Sequence, residues 1–159
     1  MEKEWTMIIR PQEKLWKVNL KEKEMLSEYG VGDRFCHHWV TNDNDLFSLY
    51  HHAKCFVYSS EYEGFGIILE AYQADCPVLL NNASCFPEIA GDAAIYFNMD
   101  SKNSNLTEQI ECLLSMSTEE RRTLLTKQRE RLKSFSWEKS AKQLADVYQS
   151  VINENNHVH

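Results

Sequence analysis

Two glutamates, Glu63 and Glu70, bracket a glycine–aromatic–glycine turn, Gly64-Phe65-Gly66, with six residues between the acids. A short apolar run, Cys55 to Ser60, leads into the turn and ends on two serines. A helix-like apolar stretch that contains Glu70 follows, and then a buried-strand run, Pro77 to Leu80. A glycine turn that opens a helix offers bare backbone N–H groups and the positive end of the helix dipole, a natural seat for a diphosphate. Carboxylates beside such a seat are poor phosphate ligands, but they are good acceptors for the hydroxyls of a sugar or ribose. The residue types therefore point to a sugar carrying a diphosphate.

The elements needed to hold these residues alternate along the chain. Residues 5–9 (WTMII) form a short apolar strand candidate, and Asn19 to Tyr29 reads as a charged amphipathic helix closed by Gly30. Arg34 to Val40 reads as a strand, and Thr41-Asn42-Asp43-Asn44 starts a helix through DLFSLYHHA. Lys54 to Tyr58 is a strand, Gly66 to Ala74 a helix, Pro77 to Leu80 a strand, Ser84 to Ala90 one helical turn and Ala93 to Phe97 a strand. Helices are expected over roughly 104–115, 118–134 and 136–153, with Ser117-Thr118-Glu119-Glu120 as a capping start. Short continuous apolar strands separated by helices imply a parallel sheet covered on both faces, a doubly wound Rossmann-like α/β fold. In that class the ligand crevice lies beyond the carboxyl ends of the strands. Arg10-Pro11, Val40-Thr41, Ser59 to Gly66, Asn81 to Ser84 and the connection after Phe97 should line it. Residues 1–153 read as a single domain and 154–159 as a disordered tail.

Bulk composition narrows the function classes. The formal charge of −7 argues against non-specific nucleic-acid binding, which requires a basic surface. Apolar content of 43% and charged content of 26% are globular values, and no apolar run has the length of a membrane span. The five cysteines are odd in number and lack CxxC spacing; we read them as reduced thiols, with Cys36, Cys55 and Cys76 largely buried in apolar runs. That reading fits a cytoplasmic protein. Neighbouring residues such as His37-His38 and His51-His52 point in different directions, so neither pair chelates one ion and no metal site is expected.

YEGFG followed by LEA, then PVLLNNAS, PEIAGDAAIYF and a late FSWEKSA…VY segment, occur in the order found in the C-terminal half of group 1 retaining glycosyltransferases of the GT-B fold. Residues 16–153 resemble that family. The resemblance implies transfer of a sugar from a nucleotide-diphosphate sugar to a glycan or lipid-linked acceptor, with retention at the anomeric carbon, in polysaccharide or cell-surface glycan synthesis. Neither a metal nor another cofactor is implied. Carried over residue by residue, Glu70 would accept hydrogen bonds from the donor ribose. Glu63 would face the transferred sugar as the catalytic candidate. Backbone N–H groups of Gly64, Phe65, Gly66 and Ile67 would hold sugar and diphosphate, and Val40-Thr41 would meet the base. The implied partners are the nucleotide-sugar and an acceptor-binding N-terminal domain, with peripheral association of the full-length protein at the inner face of the membrane.

Three departures bear on these roles. The family places one more residue between its two glutamates, and on a helix one residue is about 100° of rotation and 1.5 Å of rise. Asp75 stands where glycine is usual, at a position expected to need φ > 0. The family's glycine–arginine turn and lysine, which neutralise the donor diphosphate, have no counterpart before residue 59; the chain reads as a fragment, with Arg10 and Lys14 as weak substitutes. Other groups read as structural. Glu88 should cap its short helix, EERRTLLTKQRERLK should be a solvated face with an apolar LL…L stripe, and Trp137 should anchor the last helix by burial. The leading expectation is the donor-binding half of a retaining glycosyltransferase, inactive in transfer by itself. A non-catalytic nucleotide-sugar-binding or assembly module is the alternative, and a GT-B-type epimerase is a weaker third.

Overall fold

The computed structural model describes residues 7–9, 20–32, 35–37, 40, 42–62, 66–100 and 104–156. The chain divides into two compact units, Met1–Leu46 and Phe47–His159. In the first, strand β1 (Met7–Ile9) pairs in parallel with β2 (Phe35–His37), Met7 opposite Phe35, and helix α1 (Leu20–Glu28) lies between them in sequence. Gly30 ends α1 with φ of 63°, its N–H bonded to the Ser27 carbonyl and the Val31 N–H to that of Leu26. Only glycine takes this left-handed turn without strain, which is why the charged run stops there.

Helix α2 (Asp43–His52) spans the boundary between the units. Its start is fixed by Asn42, whose Oδ1 accepts from the Asp45 N–H at 2.9 Å while its Nδ2 donates to the Asp45 carboxylate at 2.7 Å. That satisfies an N–H which the first turn of any helix leaves unpaired.

The second unit carries the strand–turn–helix–strand sequence. Strands β3 (Phe56–Tyr58), β4 (Val78–Asn81) and β5 (Ile95–Phe97) form a parallel sheet in the order β3-β4-β5. The register aligns Val57, Leu79 and Ile95. Helices α3 (Ile67–Gln73) and α4 (Phe86–Ala90) connect the strands. After β5 come α5 (Leu106–Ser115), α6 (Thr118–Leu132) and α7 (Trp137–Asn156).

Central β4 is apolar at three consecutive positions because it is covered on both faces. One face, Val57, Leu79, Ile95 and Phe97, packs against Leu106, Ile110 and Leu113 of α5. The alternate residues serve the other face: Phe56 meets Tyr50 edge-on at 5.2 Å, and Tyr58 meets Phe86 at 5.5 Å. Tyr72 of α3 is fully buried and donates its hydroxyl proton to the Ala93 carbonyl at 2.9 Å; burial holds its pKa above the ordinary phenol value. The parallel α/β class expected from the strand–helix alternation is what the chain adopts.

Several expectations are sharpened or corrected. Asp75 has φ of 55°, as its glycine-like position required, and Arg129 of α6 grips its carboxylate with two bonds of 2.7 Å. That guanidinium holds the Asp75 carboxyl below its ordinary range. Ser117 forms a full capping box with Glu120 at the start of α6. Glu88 makes no side-chain cap for α4. Instead Arg131 of α6 donates to the carbonyls of Glu88 and Ile89 near the end of α4, neutralising acceptors that a five-residue helix cannot pair internally.

Trp137 is not buried: it is 92% exposed, and every described side chain of α7 faces solvent. Amphipathic spacing showed that α7 has an apolar face, but spacing carries no information on whether anything covers it. Cys76 is buried, Cys55 and Cys85 are half-buried and Cys112 is exposed, all as free thiols; the side chain of Cys36 lies outside the described residues. Helix α7 continues to Asn156, past residue 153 where the sequence pattern suggested the helical segment would end.

Candidate functional site

All three strands of the second unit run in the same direction, so their carboxyl ends share one edge. Ser59 to Tyr62 leave β3 there, Asn82 to Cys85 leave β4, and Asn98 to Asp100 leave β5. Short polar bonds shape this edge. The Asn82 N–H donates to the Phe97 carbonyl at 2.8 Å, linking the β4 exit to the end of β5. The Ala83 N–H turns back to the Asn81 carbonyl at 2.8 Å, and Ser84 follows with φ of 54°. The Asn98 N–H is received by Oδ1 of Asn105, just before α5. The Ser60 hydroxyl donates to the Tyr62 carbonyl at 3.3 Å, and the Tyr62 ring stands 89% exposed.

Helix α3 begins at this edge. Gly66 precedes it with φ of 134° and ψ of −60°, a conformation that side-chain-bearing residues rarely adopt. Chain neighbours aside, no atom of the described residues lies within 4 Å of the place a Cβ would occupy on Gly66. The glycine is therefore needed for its backbone and not for packing space, and its surface is open to a ligand. Ile67 is the first residue of α3 and Glu70 the fourth, with the Glu70 carboxylate exposed beside buried Ile68 and Ala71. An exposed carboxylate there is accessible to the hydroxyls of an incoming ligand.

The sequence-derived residues fall as follows. Gly66, Ile67 and Glu70 come together at the head of α3. Glu63, Gly64, Phe65 and Thr41 lie outside the described residues, as do Arg10 and Lys14. Val40 belongs to the first unit, where its side chain is buried, three positions beyond the end of β2; the strand was expected to run to Val40 itself. Among the described residues of the three connections there is no lysine or arginine, while Glu61 and Asp100 are exposed. His51 and His52, set aside as ligands on geometric grounds, hydrogen-bond to different carbonyls, those of Ala74 and Ser48.

The sequence reading set Asn81 at the head of a crevice-lining segment without a role of its own. It is the last residue of β4, 4% exposed, and its Nδ2 donates to the Ser60 carbonyl at 3.2 Å. The one signal available was an amide residue closing an otherwise apolar strand run.

The profile of the glycosyl transferases group 1 matches residues 16–133, most of the chain and all of the edge just described. The chain belongs to the group 1 glycosyl transferase family. It is 36% identical over 107 residues to the O-antigen chain mannosyltransferase B of Escherichia coli, an alignment covering 67% of this chain and 28% of that protein.

Solved structures of the same architecture include sucrose-phosphate synthase from Thermosynechococcus elongatus, with TM-score 0.73 and 22% identity over 92% of this chain and 38% of that one. The Anabaena HepE protein, crystallised with UDP and glucose, follows with TM-score 0.65 and 17% identity over 82% of this chain and 36% of that one. At these identities the likeness is one of fold, the GT-B glycosyltransferase architecture. The chain spans well under half the length of these relatives.

Proposed function

We propose that this family member is the donor-binding half of a retaining glycosyltransferase that takes a sugar from a nucleotide-diphosphate donor for glycan synthesis. The observation that carries the reading is the exposed Glu70 carboxylate beside the open Gly66 backbone, at the carboxyl edge of a parallel sheet and inside the matched region. In the reaction Glu70 accepts hydrogen bonds from the ribose hydroxyls, and the N–H groups after Gly66 face the sugar and diphosphate. Glu63 takes the hydroxyls of the transferred sugar. Catalysis in such an arrangement rests on holding the donor for attack and stabilising the departing diphosphate, without a metal or further cofactor.

The cations that neutralise the diphosphate and the acceptor site belong to the remainder of such an enzyme, so this chain alone binds donor weakly and does not transfer. The O-antigen chain mannosyltransferase relative supports a polysaccharide product, and the full-length protein would work at the inner, cytoplasmic face of a membrane. No helix among the described residues is long and apolar enough to cross one.

Calorimetric titration of the chain with UDP-glucose, GDP-mannose and ADP-glucose at millimolar concentration tests this reading. Binding of one of them is expected, with Glu70→Ala weakening it by roughly tenfold or more through the loss of bonds to a charged acceptor. Absence of heat with all three overturns the reading. The six-residue spacing of Glu63 and Glu70 favours a second one, a binding module that does not transfer. It is distinguished by donor affinity that responds to Glu70→Ala and not to Glu63→Gln.

A further inference from the structure

We infer that Asn81 is a positioning residue for the donor segment, tying the exit of β3 to the end of β4. The inference rests on the donor-site reading above. The β3–β4 ladder ends at the pair Tyr58↔Leu80, so beyond Tyr58 the chain is no longer held by backbone pairing to β4. Ser60 lies two residues further on, and its carbonyl accepts from the Asn81 side-chain amide instead. The link thus holds the chain past the end of the strand, as far as Ser60.

Asn81 is well placed for this. It is one of two buried polar residues among the described ones, and its neighbours on β4 are Val78, Leu79 and Leu80, all fully buried. In register it stands opposite Phe97 of β5. Its backbone carbonyl receives the Ala83 N–H, and the next N–H, that of Asn82, is bound to Phe97. One residue therefore joins the exits of β3 and β4 while the next reaches β5.

A core role does not explain the amide. Ser59, Glu61 and Tyr62, on either side of its partner, are exposed, so the bond secures a polar edge and no apolar cluster. Leucine matches the branching of asparagine but lacks the Nδ2 donor that makes this link. What the amide supplies is a fixed direction for Ser60 as the chain leaves β3. Pre-set geometry of that kind strengthens ligand binding by removing the cost of ordering the segment on binding.

The test uses the full chain, Asn81→Leu and Asn81→Asp, which remove the Nδ2 donor in apolar and near-isosteric form. Hydrogen exchange by NMR should find the Asn81 side-chain amide protons of the unaltered chain protected relative to those of exposed Asn82, a measurement that needs no variant to fold. In folded variants the amides of Leu69 and Glu70, which donate to the Gly66 carbonyl, should exchange at least about tenfold faster, with those of β4 unchanged. The Kd for whichever of UDP-glucose, GDP-mannose or ADP-glucose the unaltered chain binds should rise roughly three- to tenfold.

Asn81 protons that exchange as fast as those of Asn82, or variants with unaltered exchange and Kd, overturn the role of Asn81. An unaltered chain that binds none of the three sugars overturns the donor-site reading itself, and the role of Asn81 with it.

Discussion

Asp75 stands where the backbone turns left-handed between α3 and β4, and its side chain takes both hydrogen bonds that Arg129 offers from α6. Glycine would relieve the backbone but leave the guanidinium unpaired, so the aspartate exchanges a small conformational cost for a link to α6. Because its carboxyl is held below the ordinary range by Arg129, Asp75 stabilises the fold when charged. That contribution is complete above the unfolded-state pKa, near about 4, and is lost as pH falls through the lower folded-state value. Asp75→Asn keeps the left-handed tolerance and removes the charge. It should lower the melting temperature by roughly 1–3 °C at neutral pH, the pair being partly solvent-screened, and by progressively less as the pH approaches about 3. Thermal melts of both proteins across that range check it; a difference independent of pH would show that the charge is not the source. The sequence flagged position 75 through the missing glycine, but Arg129 lies 54 residues away and nothing local announced it.

Among the elements, α6 and α7 show how differently two helices of similar legibility can behave. Helix α6 is capped by Ser117, whose Oγ accepts the Glu120 N–H at 3.2 Å while the Glu120 carboxylate takes the Ser117 N–H at 2.8 Å. That pattern is local, four residues long, and could be read directly from Ser117-Thr118-Glu119-Glu120. Ser117→Ala should cost about 1 kcal/mol in a denaturant titration with little change in slope. Along α6, Arg121 reaches the Lys54 carbonyl, Arg129 reaches Asp75 and Arg131 reaches α4. Three of the charges that looked like a solvated face are thus tertiary contacts. Helix α7 was equally clear as a helix, but Trp137, Leu144, Tyr148 and Ile152 are exposed. Periodicity identifies a face that can be buried; burial itself needs a second surface.

For the molecule as a whole, burial around the three-stranded sheet sets the reactivity of its thiols. Cys76, fully buried beside β4, has its pKa pushed up by burial to about 12, and burial also raises that of half-buried Cys55. A thiol reacts as thiolate, so both are protected by chemistry as well as by access. Alkylation with iodoacetamide at about pH 8, read by peptide mass spectrometry, should label exposed Cys112 before Cys55 and Cys85, and Cys76 only on unfolding. Labelling of native Cys76 at the rate of Cys112 would contradict this packing.

The sequence alone determined the parallel α/β class, the helix that starts after Gly66 and carries Glu70, and the family, because these depend on local alternation, glycine chemistry and a contiguous motif. Only the tertiary structure decided that Gly66 is open, that Glu70 is exposed, that Asn81 holds Ser60 and that Trp137 is uncovered. Each of these is a relation between residues far apart in sequence, or between a residue and solvent. Such relations exist only once the strands have paired and fixed which side chains meet.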